Sequence, residues 1–486
     1  MEHAIQEGLS FDDVLLVPQH SAVLPSTVNL QTRVTSGIPL NIPVISSAMD
    51  TVTEEELAIA LAREGGMGVV HRNCPVEEQV EMVRRVKRSE NIVVTNPATI
   101  TADVTLKELM DLMAQRGVSG FPVVDADGKL EGMVTRRDIW IIENPDAHVR
   151  EVMTPRDRLI TGEPGYSLDD ARSILYKHRI EKLPLVDSDG KLVGLMTGAD
   201  IEKSTQFQNA CKDDSGHLRV GGAIGVGEDY LERAIALHEA GADALFIDAA
   251  TGHTQIVTDV LDSLKSKLPD AVVVAGNVVT EQGAKDLIAA GAAALKVGVG
   301  PGSICTTRVI AGVGVPQFTA VQNAARACRE AGIPLIADGG IRYSGDAVKA
   351  LAAGADVIML GSMLAGTEES PGNKILSQGR AFKEYRGMGS EGAMRKGSGD
   401  RYGQNSSGKL VPEGVEARVP FKGPLAGTIF QLMGGVRSGM GYVGANNLEE
   451  LREKARFVKI TAGGLRESHP HDILITEEPT NYSSGI

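Results

Sequence analysis

A cysteine in an unusual turn is the first candidate for chemistry in this sequence. Cys305 lies in GPGSICTTR, residues 300–308, among glycine, proline and small hydroxyl residues. Such a turn buries little apolar surface, whereas an inert packing cysteine sits among Val, Leu and Ile. A partly exposed thiol can instead be activated by backbone N–H groups or nearby cations. Cys305 is therefore the candidate nucleophile, and Cys74, Cys211 and Cys328 are the cysteines to compare with it.

Two glycine-containing turns further along the chain could bind a phosphorylated sugar. Asp338-Gly339-Gly340 and Gly361-Ser362 each follow a short apolar run. Glycine lets the backbone approach a ligand closely, and N–H groups at the start of a helix bind phosphate. A carboxylate beside a phosphate is repelled, so Asp338 is expected to accept hydrogen bonds from sugar hydroxyls.

A long polar segment rich in glycine, from about residue 385 to 422, follows these turns, and we call it the flap. Long loops without regular structure in compact domains are usually functional or disordered. The flap contains Arg401-Tyr402, a cation beside a phenol, which together could share and move protons. An exposed Arg-Tyr pair is more often solvated surface, so this pair alone does not establish catalysis.

The elements that would position these residues are eight apolar runs separated by amphipathic helical patterns. Runs without polar/apolar alternation are typical of parallel strands buried on both faces. They predict a (β/α)8 TIM barrel, an α/β fold, with a doubly wound sheet as the alternative. The barrel is favoured because almost every run ends in small or polar residues, as a ring of active-site loops requires. Cys305 then follows the sixth strand. The runs are IPVISSAMD, GMGVVHR, VGGAIGVG, ALFIDAA, VVVAGNV, ALKVGVG, PLIADGG and VIMLGS.

An internal repeat interrupts this pattern after the second helix. GFPVVDADGKLEGMVTRRDI returns as KLPLVDSDGKLVGLMTGADI, each copy reading as strand, Asp-Gly turn, strand and helix start. Two such copies predict a pseudo-symmetric pair that buries one face against the other. We therefore expect a barrel of residues 1–90 and 206–486 and an inserted module of residues 91–205. The copies would span about 93–145 and 152–205.

Composition narrows the class of protein further. The chain of 486 residues carries a formal charge of −14, which argues against a general nucleic-acid surface. The four cysteines include no C-x-x-C pair, so neither a disulfide framework nor a zinc site is indicated. We find no basic, apolar leader and no apolar stretch of about 18 residues, so a cytoplasmic protein without a membrane span is expected. GMGYVG, residues 439–444, fits a dinucleotide-binding pattern but lacks the preceding apolar strand.

Several stretches resemble one enzyme family nearly end to end. GVGPGSICTTR, ADGGIR, GSMLAGTEESPG, YRGMGS and DRY together are similar to the inosine 5′-monophosphate (IMP) dehydrogenase family of the bacterial type. The repeat resembles the tandem cystathionine-β-synthase (CBS) module, which commonly binds adenine nucleotides. The resemblance implies NAD-dependent oxidation of IMP to xanthosine monophosphate, in guanine nucleotide biosynthesis. Cys305 would attack C2 of the purine, and water would later hydrolyse the thioimidate.

The resemblance also implies a role for each matching residue. Thr307 would assist proton handling, and Arg401 with Tyr402 would activate the water. The residues implied for IMP are Ser303, Asp338, Gly339, Gly340, Gly361, Ser362, Tyr385, Arg386, Gly387, Met388, Gly389 and Glu413. Those implied for NAD are Asp248, Asn277, Gly298, Val299, Gly300 and, across a subunit boundary, Tyr442. Those implied for K⁺ are the carbonyls of Gly300, Gly302 and Cys305, with Glu467, Ser468 and His469 from a neighbouring subunit.

The resemblance further implies a homotetramer or octamer and adenine or guanine nucleotides at the CBS module, with Asp138 and Asp200 as ribose ligands. One departure is the pair Ala249-Ala250, where family members often carry hydroxyl residues. Two alternatives stay open at this point. One is GMP reductase, which uses NADPH, releases ammonia and generally lacks both the CBS insertion and the Arg-Tyr pair. The other is a catalytically inactive nucleotide sensor.

Overall fold

The computed structural model describes residues 5–89, 93–95, 97–140, 144–166, 168–198, 201, 207–404 and 408–482. The chain divides into two compact units, one of residues 1–89 with 209–486 and one of residues 90–208. The first unit is therefore built from two separate stretches of chain. None of the helices described is both long and apolar enough to cross a membrane.

The first unit contains an eight-stranded parallel sheet that closes into a barrel. Their order along the sheet, with the strands numbered in chain order at the end of this paragraph, is first, eighth, seventh, sixth, fifth, fourth, third and second. A parallel bridge between Ile45 and Met67 joins the two ends of this sheet, with Ser46 N donating to Met67 O at 3.2 Å. The predicted barrel is confirmed. In chain order the strands are β1 (Val44–Ser46), β2 (Gly68–Val70), β3 (Val220–Ile224), β4 (Ala244–Ile247), β5 (Val273–Val278), β6 (Ala294–Val297), β7 (Leu335–Asp338) and β8 (Val357–Leu360).

A helix follows each strand and covers the barrel from outside. The strands are buried on both faces, which is why they read as continuous apolar runs rather than alternating ones. Residues such as Phe246, Val274 and Ile336 fill the interior, and a larger apolar cluster lies between strands and helices. The covering helices are α1 (Glu55–Arg63), α2 (Val76–Arg88), α3 (Tyr230–Glu239), α4 (Gln255–Lys267), α5 (Glu281–Ala289), α6 (Gln317–Ala331), α7 (Ser344–Ala352) and α8 (Leu425–Val443).

Additional strands and helices decorate this barrel. Val14–Leu16 pairs with Phe457–Lys459, and Thr32–Thr35 pairs with Ile38–Leu40. An antiparallel sheet of Ile375–Ser377, Arg380–Arg386 and Glu416–Pro420 forms the base of the flap. The short helices are Thr307–Ile310, Ser362–Ala365, Glu391–Lys396, Leu448–Lys454 and Ala462–Glu467.

The second unit consists of two similar halves, each with its own apolar core. One half pairs Gly120–Val124 with Leu130–Thr135 and Thr154–Pro155, and the other pairs Lys182–Val186 with Leu192–Thr197 and Val93–Thr95. An antiparallel bridge joins Lys129 to Lys191, at equivalent positions of the two sequence copies. The α-helices in the described part of this unit are Leu106–Arg116, Arg136–Ile139 and Leu168–His178.

Candidate active site

A cavity of about 350 Å³ opens at the carboxyl ends of the barrel strands. Loops after β6, β7 and β8 and the flap form most of its wall, which is where active sites of such barrels lie. Sequence-predicted residues that line it are Asp248, Asn277, Gly298, Gly300, Gly302, Ser303, Cys305, Asp338, Gly339, Gly340, Gly361, Ser362, Tyr385, Gly387, Met388, Gly389, Arg401, Tyr402 and Glu413.

The Cys305 loop is held in place by the flap. The thiol of Cys305, which is half-buried, donates to Thr307 Oγ1 at 3.2 Å. The main chain of the loop pairs with the returning part of the flap, where Thr306 N donates to Glu413 O at 2.9 Å and Val415 N donates to Ile304 O at 3.0 Å. These hydrogen bonds fix the candidate nucleophile relative to the substrate-binding candidates of the flap.

Arg308 places a cation beside the Cys305 loop. Its Nε donates to Val299 O at 3.0 Å and its Nη2 donates to Val315 O at 2.5 Å, so the side chain braces both ends of the loop. Burial lowers the pKa of Arg308, while the electrostatic interaction with Cys305 acts in the opposite direction. The sequence analysis did not select this arginine.

The other three cysteines lie in surroundings that disfavour a thiolate. Burial raises the pKa of Cys74, Cys211 and Cys328 to about 12 in each case. A thiol with so high a pKa is a poor nucleophile at neutral pH, because the thiolate is the reactive form. Cys305 differs from them in position, because it lines the cavity.

The carboxylate of Asp338 is oriented by two side chains from neighbouring strands. Asn277 Nδ2 donates to Asp338 Oδ2 at 2.8 Å and to Gly298 O at 2.7 Å. Lys296 Nζ donates to the same carboxylate oxygen at 3.3 Å and also contacts Asn277 Oδ1. Lys296 is 4% exposed, so its charge is compensated inside the barrel rather than by water.

Tyr385 brings the hairpin at the base of the flap against the turn after β8. The side chain is buried, and a Cβ added at Gly361 would lie 2.9 Å from its hydroxyl oxygen. Burial raises the pKa of Tyr385 to about 12, although a hydrogen bond with Ser303 opposes the shift. Tyr385 is therefore a neutral hydrogen-bonding phenol in this wall of the cavity.

Arg401 forms an ion pair with Asp248, at the end of β4. Burial disfavours both charges, but mutual attraction prevails, so the pKa of Arg401 is raised and that of Asp248 is lowered. Arg72 adds a second cation, with its Nε 3.6 Å from Asp248 Oδ2. The main chain also holds Arg401 in place, since Ala250 N donates to Arg401 O at 3.1 Å. Ala250 belongs to the Ala249-Ala250 pair, where family members often carry hydroxyl residues.

Tyr402 lies beside Arg401, with the guanidinium carbon 6.0 Å from the centre of the ring. Burial raises the pKa of Tyr402, while Arg401 acts in the opposite direction. A base role for Arg401 calls for a desolvated site flanked by cations. The site is desolvated, but its direct partner is the anion Asp248, which keeps the guanidinium protonated in this arrangement.

Other predicted residues lie off the cavity wall. Thr307 touches the site through Cys305, Val299 accepts from Arg308, and Arg386 binds Asp50 through Nε at 3.1 Å. Tyr442 is 71% exposed on α8. Glu467 is the last residue of the helix Ala462–Glu467, and Ser468 and His469 follow it. In the second unit Asp138 Oδ2 accepts from Thr135 N and Oγ1, both at 2.7 Å, and Asp200 lies outside the described residues.

Besides Arg308, the sequence analysis did not select Lys296, Arg72 and Gln317. Lys296 carried a signal, because a lysine inside the apolar run ALKVGVG must find a buried partner. Nothing in the local sequence around Arg72 or Gln317 indicated a role at the site. Gln317 Nε2 donates to Asp338 O at 3.1 Å, but it begins α6 and reads as an ordinary helix residue.

Comparison with known proteins gives matches over nearly the whole chain. A family model described as IMP dehydrogenase / GMP reductase domain matches residues 8–471. Inosine-5′-monophosphate dehydrogenase of Aquifex aeolicus is 57% identical over 485 residues, 99% of each chain. The protein of that name from Haemophilus influenzae is 52% identical over 482 residues, again 99% of each chain.

A solved structure also matches both units. It is a Cys→Ala variant of GMP reductase from Trypanosoma brucei in complex with guanosine 5′-monophosphate. It is 42% identical, has a TM-score of 0.89 and covers 97% of this chain and 99% of its own. Coverage of this extent includes the inserted unit. This GMP reductase therefore departs from the expectation that such enzymes generally lack the insertion, and the insertion alone does not separate this chain from them.

Proposed function

The chain belongs to the IMP dehydrogenase / GMP reductase family, and on that premise we propose that it oxidises IMP to xanthosine 5′-monophosphate with NAD⁺ as hydride acceptor. The relatives named above support an NAD-dependent dehydrogenase. The observation that carries the proposal is the position of Cys305, half-buried in the cavity wall between Arg308 and the flap. Such an oxidation serves guanine nucleotide biosynthesis.

The proposed reaction has two halves that both use Cys305. The sulfur bonds to C2 of the purine while its proton passes toward Thr307, and the C2 hydrogen leaves as hydride to NAD⁺. A water molecule then adds to C2, the C–S bond breaks, and the thiol regains a proton. The sum is IMP, NAD⁺ and water giving xanthosine monophosphate, NADH and a proton. Splitting one difficult substitution into two steps is the advantage of covalent catalysis.

IMP would lie along the wall formed by the loops after β6, β7 and β8. The turns at Gly340, Gly361 and Ser362 would hold the phosphate, and Asp338 would accept from the ribose hydroxyls. Asn277 and Lys296 support this role, because they hold the carboxylate in one orientation. Met388 and Glu413 of the flap would face the purine.

Hydrolysis would depend on Arg401 and Tyr402, as their place in the cavity wall supports. Asp248 and Asn277 are also the residues implied for NAD. Because Arg401 now binds Asp248, the flap and the dinucleotide would use the same space in turn. NAD⁺ would enter for hydride transfer, and the flap would enter for hydrolysis once NADH has left. Because Asp248 raises the pKa of Arg401, Arg401 would act as a base only after this ion pair weakens.

A monovalent cation site and a nucleotide-binding second unit also belong to the proposed function. Carbonyls of Gly300, Gly302 and Cys305 would hold K⁺ with residues 467–469 of a neighbouring subunit, in a homotetramer or octamer. Gly300, with φ +76°, makes the left-handed turn that would let these neutral carbonyls converge on the ion. The ion would fix the Cys305 turn. The second unit would be a tandem CBS module that binds adenine or guanine nucleotides through Asp138 and Asp200.

GMP reductase is the second candidate, because the solved Trypanosoma brucei enzyme matches over both units. Incubation with IMP, NAD⁺ and K⁺ should produce NADH, whereas GMP with NADPH should release no ammonia. The opposite pair of results would establish the reductase, and neither product would favour the nucleotide sensor. Calorimetric titration of IMP would show whether such a sensor still binds the mononucleotide.

Cys305→Ser tests the covalent step. We expect NADH production to be abolished while IMP still binds, because an alkoxide is far harder to form than a thiolate. Cys74→Ser, Cys211→Ser and Cys328→Ser are matched controls and should keep most activity. Substantial turnover by Cys305→Ser would disprove the covalent mechanism.

A further inference from the structure

An ion pair fastens the flap to the barrel next to the Arg401 site. Arg72, just beyond β2, donates from Nη1 to Asp400 Oδ2 at 3.1 Å and from Nη2 to Asp400 Oδ1 at 2.8 Å. Two parallel N–H···O bonds give this pair a fixed geometry as well as charge attraction. The arginine is 8% exposed, so the contact is shielded from water on the barrel side.

The pair belongs to a row of alternating charges. Asp400 contacts Arg72, Arg72 lies beside Asp248, and Asp248 binds Arg401. The charges of two arginines and two carboxylates thus cancel within this row. Arg72 Nε, Asp248 Oδ2 and Arg401 Nε are buried without a hydrogen-bond partner among the described residues. Arg72 Nη2 also donates to Asp248 O at 3.4 Å, so Arg72 already lies against Asp248 and has an unused Nε donor beside its carboxylate. Its two hydrogen bonds to Asp400 engage both terminal nitrogens of the guanidinium.

We propose that Arg72 and Asp400 are positioning residues that hold residues 398–404 against the barrel and reserve Asp248 for Arg401. The surrounding backbone is fitted to this contact, since a Cβ added at Gly225 would lie 2.8 Å from Asp400 Oδ2. Removal of the Asp400 charge lets Arg72 move closer to the Asp248 carboxylate and compete with Arg401 for it, which undocks the segment. The docking of residues 398–404 is inferred from these hydrogen bonds and ion pairs alone. Its consequence for hydrolysis rests on the proposed function.

Hydrogen exchange measured by mass spectrometry tests the docking directly. Asp400→Asn should speed exchange in peptides covering residues 398–404 by about tenfold or more, since a buried ion pair that loses one partner is strongly destabilised. Asp400→Glu should restore most of the protection. The matched control is Glu391→Gln, which removes an exposed flap ion pair with Arg395 that does not reach the barrel. Unchanged exchange in Asp400→Asn, or an equal rise in the control, would overturn the proposal.

Rapid-mixing measurements of NADH production test whether the docking matters for hydrolysis. Asp400→Asn should keep a rapid burst of NADH but slow the later steady phase about tenfold. The reason is that Arg401 and Tyr402 reach the adduct only while residues 398–404 stay docked, a requirement separate from the weakening of the Arg401–Asp248 pair. If exchange rises while the steady phase is unchanged, the pair has no part in hydrolysis. If the wild-type protein does not oxidise IMP, the proposed function fails, and the exchange result still decides the docking.

Discussion

At the scale of single residues, Arg401 is a candidate base whose nearest partner opposes that role. Asp248 raises the pKa of Arg401, so the guanidinium is a cation in the docked flap. An arginine in water also stays protonated. The same carboxylate is a candidate contact for NAD. One anion therefore couples the protonation state of the candidate base to occupancy of the proposed NAD site.

Arg401→Ala should separate the two half-reactions. Hydride transfer should stay nearly normal, while hydrolysis slows about 10²–10⁴-fold, the usual range for lost acid–base catalysis. Rapid mixing should show one burst of NADH per active site and then a slow phase, and mass spectrometry of the quenched protein should find the purine on Cys305. Equal slowing of hydride transfer and turnover would remove Arg401 from hydrolysis.

Asp248→Asn should shift the pH dependence of hydrolysis. Without the carboxylate the pKa of Arg401 falls, so the deprotonated fraction of a base at this position increases at any given pH. The rising limb of the hydrolytic rate should move to lower pH. The rate should be followed from the preformed adduct, because Asp248 also bears on NAD binding. A limb that does not move would show that Arg401 is not the titrating base.

At the scale of elements, α8 explains the glycine pattern that resembled a nucleotide-binding motif. GMGYVG lies at the end of this helix, not after a strand. Gly439 packs against α7, where an added Cβ would lie 2.8 Å from Val348 Cγ2, and Gly444 ends the helix with φ +77°. Close helix packing and helix termination therefore account for two of its glycines.

Gly439→Ala should destabilise the barrel by about 1–3 kcal/mol, the usual cost of overpacking a core. Gly434→Ala on the same helix is the control, because nothing lies within 4 Å of its added Cβ outside the helix itself. That change should stabilise by about 0.5–1 kcal/mol through helix propensity. Denaturant unfolding of the two variants measures the difference. Equal effects would show that the α7–α8 contact does not depend on Gly439.

The strands were predictable from sequence and the flap contacts were not. A parallel strand buried on both faces leaves an apolar run that local pattern reveals, and all eight runs contain strands. The Arg72–Asp400 pair joins residues 328 positions apart, and neither residue stands in an unusual local context. Cys305 and Asp338 were recognisable because glycine-rich turns follow their strands, whereas Gln317 reads as an ordinary helix residue.

At the scale of the whole molecule, the two stretches of the barrel unit are tied together where the chain leaves and returns. Lys87, near the end of α2, donates to Asp213 Oδ2 at 3.1 Å and to Asp243 Oδ2 at 2.6 Å. Cys211 N donates to Ala62 O at 2.7 Å. A short linker can therefore span these two points without distorting the barrel.

Excision of residues 91–204 with such a linker should leave IMP oxidation intact and remove any response to ATP or GTP. NADH production with and without nucleotide measures both effects, with the full chain as reference. Lys87→Met in the excised protein should lower its melting temperature more than in the full chain, because the linker then bears the closure alone. A folded excised protein that cannot oxidise IMP would contradict this modular organisation.

The split barrel also constrains how the protein is made on the ribosome. β1 and β2 are synthesised early, but their sheet neighbours β8 and β3 are translated only after the inserted unit. At roughly 5–20 residues per second, both strands wait many seconds with open edges that other nascent chains can pair with. The inserted unit is one continuous stretch and can fold during that interval. Translation speed through residues 90–208 should therefore influence the yield of soluble protein, independently of any nucleotide the unit binds.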